Sequence, residues 1–245
     1  MESLSEKSEK FSLSEHEGNK FHMEEGEPVQ DYFLAARFFT SRVLNMEAIA
    51  NTFKLLWRTR KGFEVRDVGN HRVLFKFRDA LDIDRVLRGE PCSFDKFLVA
   101  LKRVSRNTDV KNLIFDRTQF WLQVHNLPIG SFSLSVAKAV ASVAGEVVES
   151  ELGDGEREGC NFIRVRVAVK LPEPLCRGRQ IVRSGGIKSW VDFKYERLPN
   201  LCYWCGQLTH HDKDCPTRLK KRGANRDEEK QFGSWLRAST PNPLR

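Results

Sequence analysis

From Val29 to Val104 the apolar residues switch between a period of two and a period near that of a helix, and each switch marks an element. Tyr32–Phe39 is a candidate first strand. Met46–Arg58 places Ile49, Phe53, Leu56 and Trp57 on one helix face. Phe63–Val68 reads as a strand, and Gly69-Asn70 supplies a turn. Arg72–Phe77 alternates, with Val73, Phe75 and Phe77 on one side. Ala80–Leu87 is helical and stops near Gly89 and Pro91, and Phe97–Val104 closes the series as a strand. The order β-α-β-β-α-β predicts a ferredoxin-like or RRM-like α+β domain over residues 29–105, with both helices on one face of an antiparallel sheet. The opposite face is then open, as in modules that bind RNA on a sheet. Phe75 and Phe77 have two readings there, a stacking platform or ordinary core, because the strand lacks the Gly-Phe-Gly-Phe character of such platforms.

A second, smaller α+β block covers residues 118–198. Phe120–Asn126 is a strand ending at Leu127-Pro128, and Ser133–Ala144 is a helix with Val136, Val140 and Val143 on one face. Glu146–Glu151 is a short strand and Asp154–Gly159 a polar turn. Asn161–Leu171 is a strand interrupted by Pro172 and Pro174, and Ser189–Arg197 is another. Alternation in Asn161–Leu171 puts Ile163, Val165, Val167 and Val169 on one face and Arg164 and Arg166 on the other, with Lys170 at the end. That basic face reads either as a phosphate-binding track or as an ordinary solvated surface.

The ends of the chain look different. Residues 1–28 are rich in Glu, Ser and Lys and too poor in aliphatic side chains to offset ordering entropy, which predicts a disordered acidic tail. Residues 218–245 are basic and low in aliphatics, which predicts a flexible arm; Phe232 and Trp235 could anchor a short helix within it. Charge follows the same division. Residues 1–31 carry nine acidic and three basic side chains, so a chain with a total of +8 holds +14 in the remainder. Residues 216–245 alone carry eight basic and three acidic side chains. A basic body attracts phosphate through counterion release. No apolar run approaches the ~20 residues that span a bilayer, and no secretory leader is legible, so nucleus or cytoplasm is expected, with no membrane partner.

Residues 199–217 carry the sharpest chemistry. Cys202, Cys205, His210 and Cys215 follow the spacing C-x2-C-x4-H-x4-C within fourteen residues. Three thiolates and one imidazole make a closed tetrahedral shell for one structural Zn2+. So short a loop has no core, so metal binding would supply its folding energy. His211 is a competing fourth ligand; His210 gives the standard spacing. Cys92, Cys160 and Cys176 show no metal spacing.

Catalysis is not expected. Metal-assisted nucleic-acid chemistry needs clustered carboxylates, and Asp82 and Asp84 lie two residues apart on what reads as a surface helix, where they do not face each other. His125 has no partner legible in the sequence, and a pairing with Cys160 is merely not forbidden.

Three stretches, Glu90–Arg103, Phe120–Pro128 and Phe193–Pro199 running into Cys202, together resemble one plant domain family of unknown function that ends in a CCHC zinc knuckle. Glu90-Pro-Cys-Ser-Phe94 followed by Leu98-Val-Ala-Leu-Lys-Arg103 is similar to its "PWSF…LVLKRW" stretch. Phe120-Trp-Leu-Gln-Val-His-Asn-Leu-Pro128 is similar to its "FWVQIHGLP". Phe193-Lys-Tyr-Glu-Arg-Leu-Pro199 is similar to its link into the knuckle. The resemblance covers about residues 30–217 and implies a zinc-binding, nucleic-acid-binding protein of non-LTR retrotransposon derivation. Cys92 stands where Trp is usual and Asn126 where Gly is usual; Thr209 stands where retroviral-type knuckles have Gly. By resemblance to those knuckles, Tyr203 and His211 would form a base-stacking platform, with Trp204 adjacent. Lys213, Arg218, Lys220, Lys221 and Arg222 would hold phosphates of single-stranded RNA or DNA. Packing onto the preceding domain is the alternative for Tyr203 and Trp204, and a protein-interaction adaptor is the alternative for the whole chain.

Overall fold

The computed structural model describes residues 31–151, 162–183, 185–220 and 230–239. The expected acidic tail, the turn at Asp154–Gly159, and Cys160, Lys221 and Arg222 lie outside the described residues.

The first domain follows the expected order. β1 (Tyr32–Phe38), α1 (Met46–Trp57), β2 (Phe63–Gly69), β3 (Arg72–Phe77), α2 (Ala80–Arg88), β4 (Cys92–Phe94) and β5 (Phe97–Val104) form a sheet in the order β2-β3-β1-β5-β4. Its pairings are antiparallel, and β2-β3-β1-β5 is the ferredoxin-like order. The side chains of Asn45 and Asp79 accept the backbone N–H of Ala48 and Leu81, which satisfies orphan donors where α1 and α2 begin. Ile49, Phe53, Trp57, Val73, Phe75, Phe77, Ile83 and Val99 form the core between helices and sheet. Phe75 and Phe77 are fully buried there, so the stacking reading is corrected: they are core residues. Leu56, expected on the buried face of α1, is exposed.

Asp82 is also corrected. It is fully buried, and its carboxylate accepts the backbone N–H groups of Arg60 and Lys61 at 3.0–3.2 Å, tying α2 to the α1–β2 loop. Asp84 pairs with Arg103 at 2.5 Å.

The second block contains β6 (Arg117–His125), α3 (Leu134–Ala141), β7 (Glu146–Glu151), β8 (Phe162–Lys170), β9 (Gly178–Val182) and β10 (Lys188–Tyr195). Its sheet runs β7-β8-β6-β10-β9. Counted within each block, this is the strand order of the first sheet, with the second helix replaced by the Leu171–Arg177 connection. The α3 helix buries Ala137, Val140 and Ala141, whereas Val143 is exposed. The sequence pattern missed β4 and β9. Each is a short edge strand beside a proline-containing segment.

The expected open face of the first sheet is not open. Ala35, Leu98 and Ala100 are fully buried and belong to the same cluster as Phe120, Leu122, Val165 and Phe193 of the second sheet. Polar contacts close the joint. Arg197 donates to the carbonyls of Gly89 and Pro91, and the backbone N–H of Asn200 donates to the carbonyl of Lys96 at 2.6 Å. Glu90 is buried in this joint. It accepts from Thr118 Oγ1 at 3.5 Å and precedes a cis bond to Pro91.

Burial pushes the Glu90 carboxyl up to about 7, against the smaller opposing pull of the Gln119 N–H, Arg166 and Thr118. A carboxyl raised in the fold favours the folded state most while it is protonated, so its contribution fades as pH rises from the unfolded value through the folded one. Wild-type protein is therefore expected to lose stability relative to Glu90→Gln between about pH 4.5 and 7, by about 3 kcal/mol at one unit per ~1.4 kcal/mol. Urea melts of zinc-loaded wild type and variant across this range measure the difference; parallel curves would show that Glu90 does not carry this linkage.

Candidate metal centre and nucleic-acid interface

The chain leaves β10 through Leu198, Pro199 and Leu201, and the two leucines are buried, so the following loop starts from a fixed point. Cys202 then opens a tight turn. The Gly206 N–H donates to the Cys202 carbonyl at 2.8 Å, and the Cys202 N–H donates to the Gln207 carbonyl at 2.9 Å. Gly206 closes the turn at φ +76°, a left-handed conformation that favours glycine. It leaves no room for a side chain either, since an added Cβ would lie 2.4 Å from the Phe232 ring. The turn is pinned from the other side as well. The Leu175 N–H donates to the Gly206 carbonyl at 2.8 Å, and Gln207 Nε2 donates to the Pro172 carbonyl.

These constraints bring the Sγ atoms of Cys202, Cys205 and Cys215 and a ring nitrogen of His210 within 4.8 Å of one another. Cys205 Sγ and His210 Nε2 are 3.3 Å apart. A tetrahedral zinc with Zn–S bonds of ~2.3 Å separates its ligand atoms by about 3.5–3.8 Å, so the residues fit the ion. The three sulfurs converge without a disulfide. Burial raises the Cys202 and Cys205 thiols above their ordinary range. At Cys215 burial pushes the same way, but the N–H groups of Arg218 and Thr217 and the neighbouring thiols override it and hold that thiol low. Burial also lowers His210, keeping it the neutral ligand a metal needs, against the raising pull of Asp214 and Asp212.

The nitrogen of His210 that faces away from the cluster lies 3.3 Å from Thr209 Oγ1. A hydroxyl there can accept the Nδ1–H, the arrangement that leaves Nε2 for the metal. Thr209, a departure from the retroviral pattern, thus has a place beside the ligand ring. His211 is not in the cluster: it is exposed, and its Nδ1 accepts the Lys213 N–H at 3.4 Å. Its ring sits 6.4 Å from Phe97 and lines a cleft of about 250 Å³ against the first domain.

The residues expected to contact nucleic acid separate into groups. Tyr203 and Trp204 are half-buried neighbours. Tyr203 packs partly against the second core, and its backbone N–H donates to Asp212 Oδ1 at 2.7 Å. Two cations stand over these rings: Arg218 at 5.6 Å from the centre of Trp204, and Lys230 Nζ at 6.0 Å from Trp204 and 5.8 Å from Tyr203. Lys213 and Lys220 are exposed nearby on the same short segment. Sequence reasoning missed Lys230, because it returns to the knuckle only after the segment 221–229.

Arg164 and Arg166 require correction. Both are tied to protein groups: Arg164 is half-buried and Arg166 is buried. Arg164 makes a bidentate pair with Glu196 at 2.8 and 2.9 Å and stands 4.4 Å over the Trp121 ring. Arg166 is only 4% exposed and donates to the Leu87 carbonyl at 3.1 Å, joining the two domains. The expected flexible arm is corrected where it is described. Pro216–Lys220 is a helical turn, α4, and residues 230–239 fold back with Phe232 and Leu236 buried. Arg237 pairs with Tyr195 in a parallel bridge, and the Ala238 N–H donates to the Tyr195 carbonyl at 3.0 Å.

Comparison with known proteins agrees with this division. Residues 29–112 match the family described as Domain of unknown function (DUF4283), and residues 169–217 match the Zinc knuckle family. An uncharacterized protein of Arabidopsis thaliana is 26% identical over 138 residues, which is 56% of this chain and 43% of that relative's length. No solved structure matches. The chain thus carries a DUF4283 domain and, C-terminal to it, a zinc knuckle in which Cys202, Cys205, His210 and Cys215 form one structural zinc site.

Native mass spectrometry is expected to find one zinc per wild-type chain, none in His210→Ala, and one in His211→Ala. Loss of zinc from His211→Ala with retention in His210→Ala would reassign the fourth ligand.

Proposed function

We propose that this protein binds single-stranded RNA or DNA, with modest sequence preference, on a zinc-dependent platform at the knuckle. The observation that carries the reading is the Trp204 ring, half-exposed beside Tyr203 with Arg218 and Lys230 standing over it. A base presents a flat π-face to an aromatic ring, and its flanking phosphates attract cations. Arg218 and Lys230 are long side chains that can rotate from the ring to those phosphates and leave the ring to the base. Zinc knuckles commonly bind nucleic acids, and this one sits in a chain of net charge +8. Its zinc supplies the loop's fold; four protein ligands leave no coordination position for a substrate.

Catalysis forms no part of this reading. Asp82 holds backbone N–H groups and Asp84 holds Arg103, so neither is offered to a metal. Retrotransposon derivation and residence in the nucleus or cytoplasm belong to the same proposal, on the strength of the family resemblance. Use of the knuckle as a protein adaptor is the competing reading.

Trp204→Ala is expected to weaken binding of a labelled single-stranded oligonucleotide about 5- to 150-fold, the loss of one stack worth ~1–3 kcal/mol, with zinc content unchanged. Fluorescence anisotropy across a salt series measures this. Absence of salt-sensitive binding by zinc-loaded wild type would remove the reading, and partners captured equally well after nuclease treatment would favour the adaptor.

A further inference from the structure

Beside the knuckle lies a groove of about 520 Å³ that no part of the zinc motif accounts for. Its walls carry Arg177, Trp190, Asp192, Lys194, Lys230 and Trp235. Trp190, Asp192 and Lys194 alternate along β10 on the face opposite the buried Val191, Phe193 and Tyr195. Lys230 and Trp235 come from the segment that folds back over β10. Sequence separation hides this groove; folding assembles it.

Three features identify what it takes. Trp190 and Trp235 are 48% and 57% exposed, large apolar rings left in solvent on a strand and on an otherwise anchored segment. Both rings lie close against a glycine. An added Cβ on Gly178 would meet the Trp190 ring at 2.7 Å, and one on Gly233 would meet the Trp235 ring at 2.0 Å. Each ring thus packs where the chain has no side chain to push it away. Around them stand Arg177, Lys194 and Lys230 against the single carboxylate of Asp192, which accepts from Asn126 Nδ2 at 2.5 Å. Arg177 is held in place, donating to the Gln231 carbonyl at 3.2 Å and standing 5.4 Å over Phe232. Positioned rings between cations are the elements of a single-strand binding track. Continuity supplies the third feature, because Lys230 lines this groove and also stands over Tyr203 and Trp204.

We infer that this groove is the second half of the binding site, a subsite where bases of a single strand running off the knuckle stack on Trp190 and Trp235, with Lys194 and Lys230 meeting the phosphates. The inference rests on the knuckle reading above and extends it from a short contact to a track of several nucleotides. It also gives residues 230–239 a role: they complete the ligand path and brace the knuckle turn through Phe232.

The test uses the full zinc-loaded chain and fluorescein-labelled oligothymidylates of about four and about ten nucleotides, lengths within the range of single-strand sites. The longer strand gains about sevenfold from extra binding registers alone, so a second subsite must exceed that; a gain of about 30-fold or more is expected. Trp190→Ala/Trp235→Ala should reduce the gain to the register value while the short strand binds as before. Trp190→Phe/Trp235→Phe, which keeps the rings, should restore much of it. If the double alanine variant loses zinc or its fold, Lys194→Glu, which alters the groove and leaves the cations over the knuckle rings in place, is judged on the same length ratio. A wild-type ratio near the register value, with the short strand bound, overturns the groove and leaves the knuckle platform standing. A large ratio that persists in the altered proteins also overturns it. Failure of both strands to bind overturns the platform and the groove together.

Discussion

Ala35, Leu98 and Ala100 lie on the first sheet outside the helix-side core, and their burial in one cluster with Phe115 of the linker and residues of the second sheet decides which surfaces remain open. A sheet with helices on one side only leaves an apolar face that must be covered or used. Here it is covered. Arg166, Arg197 and Glu90 satisfy backbone and side-chain groups where the two domains meet. Burying an arginine and a carboxylate is costly unless each has partners, so the joint is specific in register. The surface that an RNA-recognition module would offer is consumed by the fold, and exposed aromatic rings remain at Trp190 on β10 and at Trp235.

Both sheets run in the same order, counted within each block, and both place their first helix on the same step of that order. The second block dispenses with its second helix, and Leu171–Arg177 takes that place in the chain. That connection is also where the knuckle docks, through Gly206 to Leu175 and Gln207 to Pro172. The knuckle also packs Leu201 and Leu208 into the core of the second block. Zinc is expected to stabilise more than a loop, because the ligands share backbone with residues of that core.

What the sequence made legible follows from range. Alternation and helical spacing are local, and they located every strand and helix of the first domain except β4, a three-residue edge. Ligand spacing is local too, and all four zinc residues were placed correctly, with His210 separated from His211 by the geometry around Nε2. The departures noted in the family pattern also have local meaning: Asn126, where Gly is usual, adopts φ +61°, a conformation Asn tolerates better than most residues. Long-range facts were not legible. Alternation correctly put Arg164 and Arg166 on one face of β8, but nothing in the strand states what covers that face. The buried role of Asp82 depends on a loop about twenty residues away. The return of residues 230–239 depends on Phe232 finding Gly206 and on Leu236 finding the second core.

The same long-range closure explains how a motif of fourteen residues can present more than its own surface. An isolated knuckle would offer Tyr203 and Trp204 on a loop held by the metal alone. In this chain Asp212 fixes the Tyr203 backbone, Phe232 backs the turn, and Lys230 ties the knuckle rings to the face of β10 that bears Trp190. Rings held by neighbours lose little freedom when a base stacks on them, which is where preorganised sites gain affinity. The metal sets the loop, the second sheet sets the loop's position, and the returning segment joins the two surfaces. Removing any one of the three would leave the aromatic residues in the chain without the contacts that hold them beside one another.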